Sequence, residues 1–269
     1  MAVKITTLVE NTSFQTKLQA EHGLAFYIEA NGLNILFDTG QTDLLLRNAS
    51  VLGVDLTKVD VVVISHGHYD HIGGLSAFLE VNKHAKVFVK RAIFDEKYRG
   101  TSRYVGADVN IRLLDERLCF VDQAVELAEG VYAVPDIPIS DAKDTHISGF
   151  AVKRNGQFEQ DWFEDELFLA IKTPDGIALV SSCSHRGITN MIKAAQKQFG
   201  LSIRVILGGF HLLNAPIEEV QRIGFFLETL HLEKVGICHC SGLEAYAFFK
   251  QKLPDIVYYS SVGSRLLLS

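Results

Sequence analysis

The sequence predicts an α/β protein whose helices cover buried strands, and two observations carry that prediction. Up to Gly40, short apolar runs joined by turn residues give the pattern of antiparallel hairpins. Beyond Gly40, strand-like runs alternate with helical periodicity, the pattern of a layered α/β architecture. Met1 to Val9 alternates polar and apolar residues and reads as a first strand. Leu24 to Glu29 and Leu33 to Phe37 then flank the turn signal Asn31-Gly32. Strand and helix follow in pairs: Val61 to Ile64 with Gly74 to Val81, Ile177 to Ser181 with Ile188 to Phe199, and Ile203 to Leu207 with Pro216 to Leu230. The last pair is Lys234 to Cys238 with Leu243 to Lys252, and a run at Ile256 to Tyr259 closes the chain. Pro216 with Glu218 and Glu219 suits a first helical turn, where proline wastes no amide and carboxylates meet the positive helix end. Ser241 to Glu244 has the spacing of a capping box. Arg99 to Gln160 is less regular, with weak strand signals at Val131 to Val134; it reads as loops and short strands, a candidate lid or insertion. No Pro-rich linker or low-complexity tract divides the chain, so residues 1–269 are expected to form a single domain.

Composition narrows the partners. Lys and Arg number 26 against 32 Asp and Glu, a net charge of −6, which is wrong for neutralising a phosphate backbone. Nucleic acid is therefore not expected. The longest apolar runs, such as Val61-Val62-Val63-Ile64, fall far short of the roughly 20 residues of a membrane-spanning helix. The start has no continuous apolar stretch followed by a small-residue cleavage site, so a cytoplasmic location is expected. Cys119, Cys183, Cys238 and Cys240 are too few for a disulfide scaffold in a chain this long, and reduced thiols fit that compartment. Cys238-His239-Cys240 lacks the two-residue spacer of a structural zinc knuckle.

The histidines are placed unevenly. Four apolar strand-like runs each end in one: His66, His185, His211 and His239. Strand ends converge on the ligand crevice in layered α/β folds, so these side chains can share a site although far apart in sequence. The run His66-Gly67-His68-Tyr69-Asp70-His71 is the densest signal. Imidazoles and a carboxylate suit Zn, Mn or Fe(II), and an irregular turn can direct alternate side chains to two neighbouring ions. In that reading His66 and His68 hold one ion and Asp70 and His71 the other, with a water between them brought near neutral pKa. Gly73-Gly74 lets the backbone pass close by before the next helix.

This run resembles the HxHxDH motif of the metallo-β-lactamase superfamily, and Ile35-Leu36-Phe37-Asp38-Thr39-Gly40 ahead of it agrees. The segments Cys183 to Asn190, Gly208 to Leu212 and Cys238 to Gly242 are similar to a subgroup named for dihydropterin-ribofuranosylaminobenzene-phosphate synthase. The resemblance covers nearly the whole chain. It implies a four-layer αβ/βα sandwich with the metal site at the sheet edges. It also implies metal ligands at His66, His68, Asp70, His71 and His239, with His185 as the middle histidine and His146 as its substitute. The family's bridging Asp has no counterpart: Asp161, Asp165, Asp175 and Asp255 are badly placed. Either Cys183 supplies a thiolate instead or a single ion dominates. Asp38 is either a carboxylate orienting a ligating histidine or a turn initiator. His211 is a further ligand, a substrate contact or a proton donor to the leaving group. Arg186 and the helix start after His185 are candidates for holding a phosphate. His22, His84 and His231 lack motif context.

The implied activity is hydrolysis of an ester or phosphoester small molecule by metal-bound hydroxide, with Asp70 and His211 as catalytic residues and Asp70 receiving the water's proton. The implied cofactor is a divalent metal, Zn first and Mn or Fe as alternatives, with one or two ions. The subgroup name implies a rival reaction, condensation of a dihydropterin with a ribofuranosylaminobenzene phosphate. The missing Asp implies a second rival, a metal or ligand sensor of low turnover.

Overall fold

A computed structural model describes residues 3–110 and 113–268 of the chain. Met1 and Ala2 of the expected first strand, residues 111 and 112 of the irregular stretch, and Ser269 lie outside the described residues. In chain order the elements begin with β1 (Val3–Val9), β2 (Ala25–Ala30), β3 (Leu33–Phe37), α1 (Leu44–Leu52), β4 (Val61–Val63), α2 (Tyr69–Ile72), α3 (Leu75–Val81) and β5 (Lys86–Val89). The middle holds β6 (Glu96–Arg99), β7 (Arg103–Tyr104), β8 (Leu118–Phe120), β9 (Val125–Ala128), β10 (Val131–Val134), β11 (Phe150–Arg154) and β12 (Gln157–Gln160). The rest is β13 (Phe168–Thr173), β14 (Gly176–Val180), α4 (Ile188–Phe199), β15 (Ile203–Gly208), α5 (Ile217–Glu228), β16 (Lys234–Ile237), α6 (Leu243–Lys252), β17 (Val257–Tyr259) and β18 (Arg265–Leu268).

The chain forms two compact units. The first comprises Met1–Asp122, Ile147–Asp165 and Ser261–Ser269, the second Gln123–His146 and Glu166–Ser260. In the first unit a seven-stranded sheet runs β18-β1-β2-β3-β4-β5-β8, antiparallel through β3 and parallel from β3 onward. The β2–β3 hairpin turns at Asn31 and Gly32, both left-handed, as the right-handed strand twist requires of a two-residue turn. The apolar faces of α1 and α3, including Leu45, Ala49, Leu75, Phe78 and Leu79, pack on Leu36, Val62, Ile64 and Val87 of this sheet. A separate four-stranded sheet runs β12-β11-β6-β7. The second unit repeats the scheme, with β17-β16-β15-β14-β13-β10-β9 parallel from β14 through β17. Its core joins Ile188, Met191 and Ile192 of α4, Val220 and Ile223 of α5 and Phe249 of α6 to Leu179, Ile206 and Val235.

The α/β class and most elements agree with the sequence reading, α4 and α6 to the residue. The backbone at Gly73-Gly74 passes close to the segment after β3, where a Cβ would stand 2.3 Å from the carbonyl oxygens of Gln41 and Thr39 respectively. The irregular stretch holds loops and short strands as read, β7 to β12, with β10 at the signalled Val131–Val134. Two details differ. The chain closes with β18 on β1, not with the run at 256–259. Ser241 does not cap α6; Gly242 occupies that position, and the Ser241 hydroxyl accepts the buried Phe210 N–H at 2.9 Å. No helix among the described residues is long and apolar enough to cross a membrane.

Candidate metal centre

In the first unit the metal motif begins where β4 ends. Ile64 and Ser65 lead into His66, and the turn through His68 enters α2, which carries Asp70 and His71. The His66, His68, Asp70 and His71 side chains are all buried. The His66 ring centroid lies 4.3 Å from that of His71 and 4.7 Å from that of His68. Asp70 Oδ2 stands 3.5 Å from His71 Nε2 and 3.1 Å from His22 Nε2. Asp38, left-handed at the end of β3, accepts from the Ser65 amide at 2.7 Å, the Ser65 hydroxyl at 2.7 Å and His71 Nδ1 at 2.9 Å. A carboxylate can only accept there, so Nδ1 carries the proton and Nε2 of His71 is the donor atom of that ring. Of the two readings of Asp38, the structure thus gives the orienting carboxylate. Burial works against a charged His71, yet Asp70 and Asp38 raise its pKa to about 10 and draw positive charge to this point. Burial, with His71 and His68 close by, pushes His66 well below the usual histidine range. Imidazoles beside a carboxylate are the donors that zinc, manganese or iron(II) takes, so the cluster fits such an ion.

A buried ionic network holds this turn. Lys97 Nζ donates to Asp161 Oδ2 at 2.8 Å and to Asp165 Oδ1 at 2.9 Å. The other oxygen of Asp165 accepts the Gly67 N–H at 2.7 Å, between the two histidines of the turn. Lys97, Asp161 and Asp165 are 1%, 2% and 0% exposed. Gly67 must be glycine, because a Cβ would stand 2.6 Å from the Ile93 carbonyl oxygen. Phe163, fixed by its amide on Asp161 Oδ1, sets its ring edge-on to His68 at 5.3 Å. Asp161 and Asp165, set aside as badly placed for a bridging ligand, bond Lys97, and Asp165 holds the Gly67 turn. Asp175 and Asp255 are exposed.

The second unit assembles its cluster from the carboxyl ends of parallel strands, Cys183 and His185 after β14, His211 after β15, His239 and Cys240 after β16. Left-handed backbone at Ser184, His211 and His239 turns the chain sharply at these ends. Donor atoms of Cys183, His185 and His211 lie within 4.8 Å of one another, as do those of Cys183, His239 and Cys240. The His185 and His211 rings are 4.3 Å apart. Glu166 secures the β14 turn, its two oxygens each accepting at 2.7 Å, one from the His185 N–H and one from the Arg186 N–H. Burial opposes ionisation of Cys240, but its contacts with Cys183 and His211 and the nearby His239 hold the thiol well below its usual range.

His146 lies beside this cluster. Its amide donates to the His185 carbonyl at 2.7 Å and its ring is 5.3 Å from that of His211. Burial and then His211 lower its pKa to about 4. Asp144 meets the helix start expected to hold a phosphate, accepting the Thr189 N–H at 2.7 Å, so the protein's own carboxylate already satisfies that amide. Arg186 directs Nε to the Ile137 carbonyl at 2.9 Å. His84 and His231 are exposed.

Sequence reasoning thus missed His22, Lys97, Glu166 and Cys240 as parts of these clusters. Spacing gives no hint of the first two. For Glu166 a signal existed: Glu164-Asp165-Glu166 directly precedes the apolar run of β13, an expensive place for carboxylates unless they are bonded.

A sequence profile of the metallo-beta-lactamase superfamily matches residues 18–178. The chain is 30% identical over 272 residues to the 7,8-dihydropterin-6-methyl-4-(beta-D-ribofuranosyl)-aminobenzene-5'-phosphate synthase of Methanocaldococcus jannaschii, covering 94% of this chain and 92% of that protein. A solved structure described as a metal-dependent hydrolase of the beta-lactamase superfamily matches with a TM-score of 0.87 at 31% identity over 99% of each chain. A diphosphatase of the PhnP family shares the fold, with a TM-score of 0.55 at 14% identity over 100% of this chain and 98% of that one.

Proposed function

Because the chain belongs to the metallo-β-lactamase superfamily and is an enzyme, we propose that it hydrolyses an ester or phosphoester bond in a small, phosphorylated substrate. The ligands in this reading are His66, His68, Asp70, His71, His185 and His239, for one or two divalent ions with zinc first. When bound, such an ion supplies Lewis acidity that brings water into its nucleophilic range near neutral pH. The observation that carries the reading is the gathering of the buried His66, His68 and His71 rings on one turn, with the Asp70 carboxylate 3.5 Å from His71 Nε2.

Asp70 orients the attacking water and receives its proton at the carboxylate, while His22 at 3.1 Å steadies that carboxylate from the more exposed side. Asp38 fixes the ring of His71. His211, half-buried at the end of β15, delivers a proton to the leaving group, and with Arg186 it contacts the substrate. The two units serve as halves of one domain, a reading supported by the synthase relative, which aligns over 94% of the chain. We place the enzyme in the cytoplasm, a compartment that keeps thiols reduced.

Zinc-loaded protein is expected to turn over a chromogenic phosphodiester or ester, and chelated protein is not. Asp70→Asn should lower kcat by roughly 10²–10⁴-fold, the range of a lost general base. Undiminished turnover in Asp70→Asn would sink the assignment. A second reading rests on the named activity of the archaeal relative, condensation of a dihydropterin with a ribofuranosylaminobenzene phosphate. Supplying a pterin diphosphate with the aminobenzene partner separates the two, since condensation yields a joined product and hydrolysis does not.

A further inference from the structure

We propose that Cys183 and Cys240 are thiolate ligands that join His239 in a sulfur-rich metal position of the second unit. The proposal rests on the reading that this enzyme binds a divalent ion, and it adds which atoms receive it and what kind of ion they select. Cys183 and Cys240 are 2% and 6% exposed and His239 is 2% exposed, so all three donors are shielded from water. Their donor atoms already lie within 4.8 Å of one another. Two ligands of a tetrahedral zinc ion, bonded at about 2.0–2.3 Å, stand roughly 3.5–3.8 Å apart, so a closing movement of about 1 Å brings the trio to bonding geometry.

The backbone around the sulfurs is built to leave them room. A Cβ on Gly209 would lie 2.6 Å from Cys240 Sγ and 2.5 Å from the Ser182 carbonyl oxygen, so only glycine allows the β15 end to pass beside that thiol. His239 takes a left-handed conformation, with φ of 53°, that a β-strand continuation would not need. The thiol of Cys240 points at the Cys183 carbonyl, 3.6 Å away, which places both cysteines at one spot. A buried cysteine serving only as a small apolar filler requires none of this. Two soft thiolates with one imidazole select thiophilic ions such as zinc over manganese or magnesium, which prefer oxygen donors. The missing bridging Asp of the sequence pattern is thereby accounted for by sulfur.

Cobalt(II) tests this without relying on turnover. Its visible d–d absorption reports occupancy whatever the ligands, and a near-ultraviolet sulfur-to-cobalt charge-transfer band reports thiolate bonding specifically. Cobalt-loaded wild type is expected to show both. The charge-transfer band should fall about twofold in Cys183→Ser and in Cys240→Ser and vanish in the double variant, because each thiolate contributes its own transition. Cys238→Ser, a neighbouring buried cysteine outside the trio, should leave the band intact. Wild-type protein with d–d bands and no charge-transfer band would overturn the thiolate assignment while leaving a metalloenzyme. No d–d absorption at all would overturn the metal reading beneath it. An unchanged band in Cys240→Ser would overturn the pair as stated. The wild-type spectrum decides the main question even where a serine variant fails to fold.

Discussion

The two units use one plan and stock it differently. Each has a seven-stranded sheet that turns from antiparallel to parallel, with its chemistry at the carboxyl ends of the parallel strands. In the first unit the donors come from a single turn of six residues, and buried charges brace it from behind: Asp38 on His71, Asp165 on Gly67, Lys97 on both Asp161 and Asp165. In the second unit the donors come one or two at a time from three strand ends, two of them sulfur, and a single carboxylate, Glu166, braces the first of those ends. A contiguous motif concentrates its donors but leaves its backbone irregular and in need of support. Dispersed donors sit on strand ends that the sheet already holds. The first cluster should therefore fail through residues outside the proposed ligand set, and the second mainly through the proposed ligands themselves.

Lys97→Met is the sharpest way to break that contrast. It strands two buried carboxylates, and breaking a buried ion pair from one side costs about 3–5 kcal/mol. Denaturant unfolding should show a loss of that order, against about 0.5 kcal/mol or less for Lys153→Met in the exposed sheet. Equal effects would mean that the network is idle. Asp38→Asn comes next. Its amide still accepts from Ser65 but no longer fixes the ring of His71, and metal affinity should drop about 10–100-fold, as for other groups that orient a ligand. An unchanged affinity in a metal titration would return Asp38 to a mere turn residue. Glu166→Gln should be milder, because the amide oxygen can still take one of the two N–H groups. About tenfold lower kcat with little change in stability is expected, close to one charge-assisted hydrogen bond. A loss of stability as large as that of Lys97→Met would erase the difference between the units.

The same contrast explains what the sequence made legible. His66, His68, Asp70 and His71 could be read as a site because they fall within one turn, and local spacing is what a sequence displays. Asp38 was legible as one of two possibilities because it ends an apolar strand. Without the family resemblance, His185, His211 and His239 stand out only as histidines ending apolar runs, since their meeting depends on strand order, which spacing does not encode. Lys97 and Asp165 stand 68 positions apart, and nothing local marks a lysine that is 1% exposed. Ser241 misled for the opposite reason, as its spacing to Glu244 imitates a cap while a buried amide from β15's end claims the hydroxyl. The fold was easier to read than the support of its site, because periodicity along each strand and helix is a local property and bracing between distant loops is not.

The smallest expected effect concerns pH and reports on the Lys97 ammonium. Burial alone would lower the lysine pKa, but Asp165 and Asp161 outweigh it and raise the value above its usual 10.5. A cation whose folded pKa exceeds its unfolded one contributes stability that is fully present below the unfolded value and is lost as pH climbs through the folded value. The stability difference between wild type and Lys97→Met should accordingly stay level from about pH 7 to pH 10 and narrow only above that range. A difference that already shrinks between about pH 8 and pH 10 would mean that the ammonium is shed more easily than two carboxylates at hydrogen-bond distance permit. The Gly67 turn would then be held by Asp165 alone, without the ammonium that pairs it.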